Sequence, residues 1–270
     1  MQTSQPFFRD AGTGPPVICL HANASSSGQW RALMDCLAPS FRVLAPDLYG
    51  VGKSSPRPTG RAFTLRDEVS LLEPLLRQAG ERITLVGHSY GAAVALVAAL
   101  AEPKRIRALA LYEPTLFSLV DAESPPPNEA DGIRETVSRA INAMAADDPD
   151  EAARCFIDFW MSPGAWDATP ESHKGHIRSS MADLRHWASA LMEDPIPIPI
   201  QSFAELEIPV LYMTGKHSPA SSLSVARLLA AVLPRVQSVE FDDLGHMGPV
   251  THPHIVNKAI ASFLAAHASA

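Results

Sequence analysis

Short apolar runs rich in branched aliphatic residues recur along the chain, at residues 17–20, 42–46, 83–86, 106–112, 208–214 and 236–241. Each is too short for a stable helix and reads as a buried strand. A further short strand is expected at residues 7–9, closed by the Gly- and Pro-rich turn at 11–16. Between these runs the apolar residues fall at helical spacing instead. A helix starting near Gln29 carries Trp30, Leu33, Met34 and Leu37, and another over 64–78 carries Leu65, Val69, Leu72, Leu75 and Leu76 on one side, with Gly80 to stop it. Helices are expected again over 92–101, 221–233 and 255–267. Strands alternating with helices predict an α/β fold: a mostly parallel, doubly wound sheet covered on both faces.

The pattern changes near residue 120. Ser124-Pro125-Pro126-Pro127-Asn128 is a cluster of structure breakers, and residues 133–146, 150–160 and 172–192 have helical periodicity. Pro195, Pro197 and Pro199 alternate with isoleucines as an extended connector. No buried-strand pattern occurs between 120 and 208. The expected organisation is a core made of residues 1–119 and 203–270, with 120–202 inserted as a helical lid.

Composition narrows the class. A chain of 270 residues with 46% apolar and 19% charged residues buries a sizeable core. A net charge of -7 without any Lys/Arg run argues against a nucleic-acid surface. Cys19, Cys36 and Cys155 make an odd number without C-x-x-C spacing, which fits reduced thiols. The first six residues lack a basic start and an apolar stretch, so no signal peptide is expected. The apolar run 92–101 is too short to span a bilayer. The expectation is a soluble cytoplasmic protein with a small-molecule substrate and no nucleic-acid or membrane partner. The oligomeric state stays open, a homodimer included.

The chemistry centres on Gly87-His88-Ser89-Tyr90-Gly91, directly after the strand 83–86 and before the helix. Strand, G-x-S-x-G, helix is the setting in which a sharp turn lifts a serine out of the sheet edge as a nucleophile. The stretch resembles the α/β-hydrolase family, over nearly the whole chain except the middle insertion. Little chain precedes the strand at 7–9, so a first strand common in the family is expected to be missing. In the family the base is a histidine after the last strand, which implies His246. The family's acid lies in a Gly-x-x-Asp after the strand 208–214, but the chain has Gly215-Lys216-His217-Ser218. Serine cannot carry the charge that orients an imidazole. In some members of the haloalkane dehalogenase branch the acid ends the preceding strand, and the matching residue is Glu113, with Asp242 and Asp243 as alternatives. The oxyanion donors implied are the N–H of Tyr90 and of Asn23, the latter in His21-Ala22-Asn23, where the family usually has His-Gly-x. The loop 47–54 resembles the family's D-x-x-G-x-G-x-S turn and lacks the first glycine of a phosphate-binding loop.

Trp160, Trp166 and Trp187 fall in the insertion. Trp160, Trp187, Phe156 and Met247 are the candidate lining of an apolar substrate pocket. His173 and His176 have no convincing third ligand and read as surface residues. No metal or cofactor is called for. These features imply a serine hydrolase acting on a small, apolar ester or related acyl compound. Alternatives are a carbon–carbon bond hydrolase, a perhydrolase, and a catalytically silent ligand receptor.

Overall fold

The computed structural model describes residues 5–194 and 197–267. The expectations for residues 1–4, and for Pro195 and Ile196 of the connector, lie outside the described residues. Seven strands form one sheet: β1 (Phe8–Ala11), β2 (Pro16–Leu20), β3 (Arg42–Pro46), β4 (Ile83–His88), β5 (Ile106–Tyr112), β6 (Val210–Gly215) and β7 (Val236–Phe241). Their order across the sheet is β1-β3-β2-β4-β5-β6-β7, with β1 antiparallel to β3 and every other pair parallel.

Side-chain alternation along the strands sorts the core into two layers. Val17 and Cys19 of β2 face α1 (Arg31–Leu37) and the C-terminal helix, meeting Leu33, Leu37, Ile260 and Leu264. Ile18 and Leu20 face the opposite way, toward α2 (Leu65–Ala79) and α3 (Tyr90–Ala101). β4 is buried along its whole length, which explains why its apolar run shows no polar alternation. Helix α2 begins with a capping box: the Thr64 N–H donates to Asp67 Oδ2 at 2.8 Å, and the Thr64 side chain accepts from the Asp67 amide.

Between β5 and β6 the described residues form helices and no strand. They are α4 (Ser118–Glu123), α5 (Asp131–Ala145), α6 (Pro149–Trp160), α7 (Ala165–Ala168), α8 (Glu171–Ser180) and α9 (Leu184–Met192). Asp148 caps α6 by accepting from the Glu151 N–H at 2.9 Å, with Pro149 in the first turn. The single helix expected over 172–192 is two, α8 and α9, joined by a 3₁₀ turn at Met181–Asp183. The chain then completes the sheet with α10 (Ala220–Val232), β7, α11 (Gly248–Thr251) and α12 (Pro253–His267). No described helix is long and apolar enough to cross a membrane.

The strand order fixes where chemistry sits. After β2 the chain crosses to β3 on one side, and from β4 onward it proceeds to the other. The crevice at the carboxyl ends of β2 and β4 is therefore the switch point at which open α/β sheets bind ligands.

Candidate active site

Ser89 follows β4 and holds φ 56°, ψ -117°, a conformation that L-residues rarely adopt. Two glycines permit the turn. A Cβ on Gly87 would stand 2.5 Å from Ala92 Cα, and one on Gly91 would stand 2.3 Å from the Leu20 carbonyl oxygen. Either contact would push α3 off the sheet. Glu113, at the end of β5, also has a positive φ of 46°. Both residues stay in the sheet's hydrogen-bond ladder. The Ser89 N–H donates to the Tyr112 carbonyl at 2.9 Å and the Glu113 N–H to the Met213 carbonyl at 3.1 Å. Five described non-glycine residues have positive φ, and three of them, Ala24, Ser89 and Glu113, border this site. Strain gathers where the surrounding scaffold can hold it.

His246 lies on the loop after β7. Its Nε2 is 2.9 Å from Ser89 Oγ and its Nδ1 is 2.6 Å from Glu113 Oε2. Glu113 is fully buried. Its other oxygen, Oε1, accepts from the Gly215 N–H at 2.7 Å and from the Ser218 hydroxyl at 2.6 Å. Ser218, the residue at the family's usual acid position, therefore holds the glutamate. Ser222 Oγ lies 3.4 Å from His246 Nδ1. The alternative acids are elsewhere: Asp242 pairs with Lys216 at 3.3 Å and is 80% exposed, and Asp243 is exposed too.

The loop carrying His246 is held by two donors. Tyr112 Oη donates to the Gly245 carbonyl at 2.8 Å, and His88 Nε2 to the His246 carbonyl at 2.8 Å. The tautomer of His88 follows from its neighbours. The Ala22 N–H donates to Gln29 Oε1 at 3.1 Å, so the Gln29 amide nitrogen faces His88 Nδ1 at 3.1 Å and leaves the ring proton on Nε2. Burial pushes the His88 imidazole down to about 3, and neighbouring His246 adds to the fall, so it stays neutral. His21 is likewise driven down to about 4 by burial, against the pull of the Ala22 carbonyl. Its Nδ1 donates to that carbonyl at 2.8 Å and its Nε2 accepts from the Leu48 N–H at 3.1 Å. Two neutral histidines thus anchor the loop 21–29.

Asn23 lines a cavity of about 800 Å³ together with Ser89 and His246. The Asn23 and Tyr90 N–H groups have no acceptor among the described residues, whereas that of Ala22 is taken by Gln29. The Tyr90 side chain turns away from the cavity to Glu68 Oε1, 3.2 Å from its hydroxyl, while its amide opens α3. Trp160, Trp187, Phe156 and Met247 all line the cavity. Trp160 stacks on the His246 ring, with centroids 4.0 Å apart and planes 30° from parallel. Trp166 does not reach the cavity: it is buried beneath Lys174 and Arg178.

The family model of the alpha/beta hydrolase fold matches residues 15–253. This chain belongs to the α/β-hydrolase family. It is 30% identical over 265 residues to lipase LipV of Mycobacterium tuberculosis, covering 93% of this chain and 94% of the lipase. It is 25% identical over 284 residues to the 2-hydroxymuconate semialdehyde hydrolase of a Pseudomonas species, covering 96% and 89%. In fold it is similar to a thermophilic esterase from Thermogutta terrifontis, with a TM-score of 0.76, 24% identity and coverage of 98% and 94%. The chain is accordingly a hydrolase of this fold.

The roles of several residues of this α/β hydrolase's site are not given by a motif. Gln29 lies outside any motif, His88 fills a variable position of G-x-S-x-G and Ser218 replaces the family's acid; only their pairing across the sheet shows what they hold. The loop 47–54 is a structural turn: Asp47 Oδ1 accepts from the Ser27 N–H at 2.7 Å, and the Ser54 hydroxyl donates to the Asp47 carbonyl at 2.6 Å. His173 and His176 are exposed, as expected of surface residues, yet both border the cavity. Among the described residues no cluster has the makings of a metal site.

Proposed function

We propose that this hydrolase cleaves a small ester with largely apolar substituents, using Ser89, His246 and Glu113 as a catalytic triad. The observation that carries this reading is one imidazole bridging a strained serine and a buried carboxylate, at 2.9 and 2.6 Å. Glu113 keeps the Nδ1 proton in place, so Nε2 presents its lone pair to the serine. His246 takes the Ser89 proton as Oγ attacks the ester carbonyl. The N–H groups of Asn23 and Tyr90 stabilise the oxyanion. His246 then protonates the leaving alcohol, and the acyl group remains on Oγ. A water deprotonated by His246 attacks the acyl-enzyme and releases the acid, restoring Ser89. Helices α4 to α9 act as a lid; Phe156, Trp160 and Trp187 from the lid and Met247 from the core give the cavity apolar walls.

A fluorophosphonate probe tests the nucleophile. Labelling of the wild type, lost in Ser89→Ala, is the expected outcome, together with turnover of p-nitrophenyl esters. An unlabelled wild type would favour a silent receptor. A second reading, carbon–carbon bond hydrolysis, draws on the full-length similarity to the semialdehyde hydrolase. Turnover of a vinylogous diketone acid faster than of any aryl ester would put it first.

A further inference from the structure

The cavity has an uneven charge lining. The chain carries 29 acidic side chains against 22 Lys and Arg, yet no Asp, Glu or Lys is among the described residues that line the cavity. Its interior is apolar, with Phe156, Trp160 and Trp187 buried. Its exposed rim includes Arg31, His173 and His176. They come from two elements: Arg31 opens α1, and both histidines lie on α8, one turn apart. The Arg31 guanidinium folds back beside Gly28, on the loop that also holds Asn23. Both histidines line the same cavity as Ala22, Asn23 and Ala24 of that loop. None of the three side chains has a hydrogen bond or ion pair among the described residues. Arg178 of the same helix, by contrast, is paired with both Asp150 and Glu171.

A cation and two imidazoles without acidic partners, on the exposed rim of a cavity lined by neutral polar and apolar residues, fit an anion on a partly hydrated end of the substrate. A planar guanidinium matches a carboxylate in a two-point pair, and a single guanidinium balances a single negative charge. We propose that the substrate is an amphiphilic monoanion: an ester whose far end, across an apolar spacer from the scissile carbonyl, carries a carboxylate held by Arg31 with His173 and His176. This rests on the ester-hydrolase reading and specifies its substrate class.

The test compares two matched series of aryl esters: half-esters of linear dicarboxylic acids with four to ten carbons, and neutral alkanoates of equal chain length. The readout is the ratio of kcat/KM, acid-ended over neutral, at each length, so that general damage to the enzyme cancels. The wild type is expected to favour the acid-ended ester about tenfold at one chain length or more, a size usual for one charged hydrogen-bonded pair. Arg31→Gln is expected to lower that ratio about tenfold, through KM, and His173→Gln with His176→Gln to lower it further. A wild-type ratio below one at every length, or one that Arg31→Gln leaves unchanged, overturns the proposal while leaving the ester hydrolase intact. Absence of turnover in both series, with Ser89 unlabelled by a phosphonate, is the failure of the ester reading and takes this proposal with it.

Discussion

Replacing Glu113 by Gln changes one atom and leaves the shape of the side chain, so it isolates the charge and the proton it holds. The orientation of the new amide is settled by its neighbours. The Gly215 N–H can only donate, and it points at Oε1 from 2.7 Å. The amide oxygen must therefore face Gly215, and the amide NH₂ must face His246 Nδ1. A donor at that position requires Nδ1 to accept, which moves the ring proton to Nε2, toward Ser89 Oγ. The imidazole then has no lone pair with which to take the serine proton. A second loss is electrostatic. An imidazolium and a carboxylate about 4 Å apart between charge centres attract by about 4 kcal/mol at an effective dielectric near 20, or about 10³ in rate. The two losses overlap, because the wrong tautomer cannot form the imidazolium productively. The expected fall in kcat is about 10³ to 10⁴, comparable to other triads with the wrong tautomer.

The assay is p-nitrophenyl butyrate hydrolysis, with circular dichroism and thermal unfolding to show that the variant folds. Retention of more than a tenth of wild-type kcat would refute the role given to Glu113. A companion experiment asks whether the charge can be moved. Ser218 Oγ stands 2.6 Å from Glu113 Oε1, so a carboxylate at 218 extends into the space that a shortened residue 113 vacates. Glu113→Ala combined with Ser218→Asp is expected to recover at least tenfold in kcat over Glu113→Ala alone.

Ser218→Ala removes one of three hydrogen bonds to a buried carboxylate and is expected to lower stability by about 1.5–3 kcal/mol, measured by urea unfolding; no change would make that contact incidental. Trp160→Leu removes the ring stacked on His246, and a cation–π contribution of about 0.5–2 kcal/mol predicts a 2- to 30-fold fall that appears in kcat, since the imidazolium exists only during reaction. A change confined to KM would make Trp160 a wall of the pocket and nothing more. Glu68 is fully buried, and burial pushes its carboxyl up to about 7, against the pull of the Tyr49 N–H. From its ordinary value of 4.5 up to about 7 the folded protein holds a proton that the unfolded chain has lost, so stability declines with rising pH by about 1.4 kcal/mol per unit. In Glu68→Gln that contribution is expected to disappear, so the variant's Tm minus the wild type's rises between pH 5 and 7; a constant difference would refute it.

The layers of the fold were legible because burial on both sides of a parallel strand leaves a continuous apolar run, as in β4. The serine turn was legible because steric crowding leaves few residues but glycine at 87 and 91. What escaped the sequence depends on pairing between distant elements. The hydrogen bond of Gln29 to His88 spans 59 positions, and that of His88 to the His246 carbonyl spans 158. Neither has a local pattern to announce it. The exposure of His173 and His176 was readable from helix α8, whose sequence is polar nearly throughout. That their exposed side borders a cavity depends on how α8 is set against the core, and periodicity carries no information about that. The break between α8 and α9 was also hidden, because the 3₁₀ turn at Met181–Asp183 contains neither glycine nor proline.

The proposed triad bears on which residue stands at 218. On that proposal His246 needs negative charge at one point in space, and the chain can deliver it from either of two adjacent strands whose carboxyl ends converge. β5 and β6 are hydrogen-bonded neighbours, with Tyr112 paired to Met213, so residues 113 and 215–218 meet around the same point. A side chain from β5 starts one strand nearer the nucleophile, and the length of glutamate together with the positive φ at 113 turns the carboxylate back toward Nδ1. Once the charge comes from β5, an aspartate at 218 would place a second carboxylate against the first, and two such charges cannot both ionise cheaply. A residue that donates is what the position then requires. Serine at 218 is on this reasoning a consequence of glutamate at 113, and the two positions should be exchanged together or not at all.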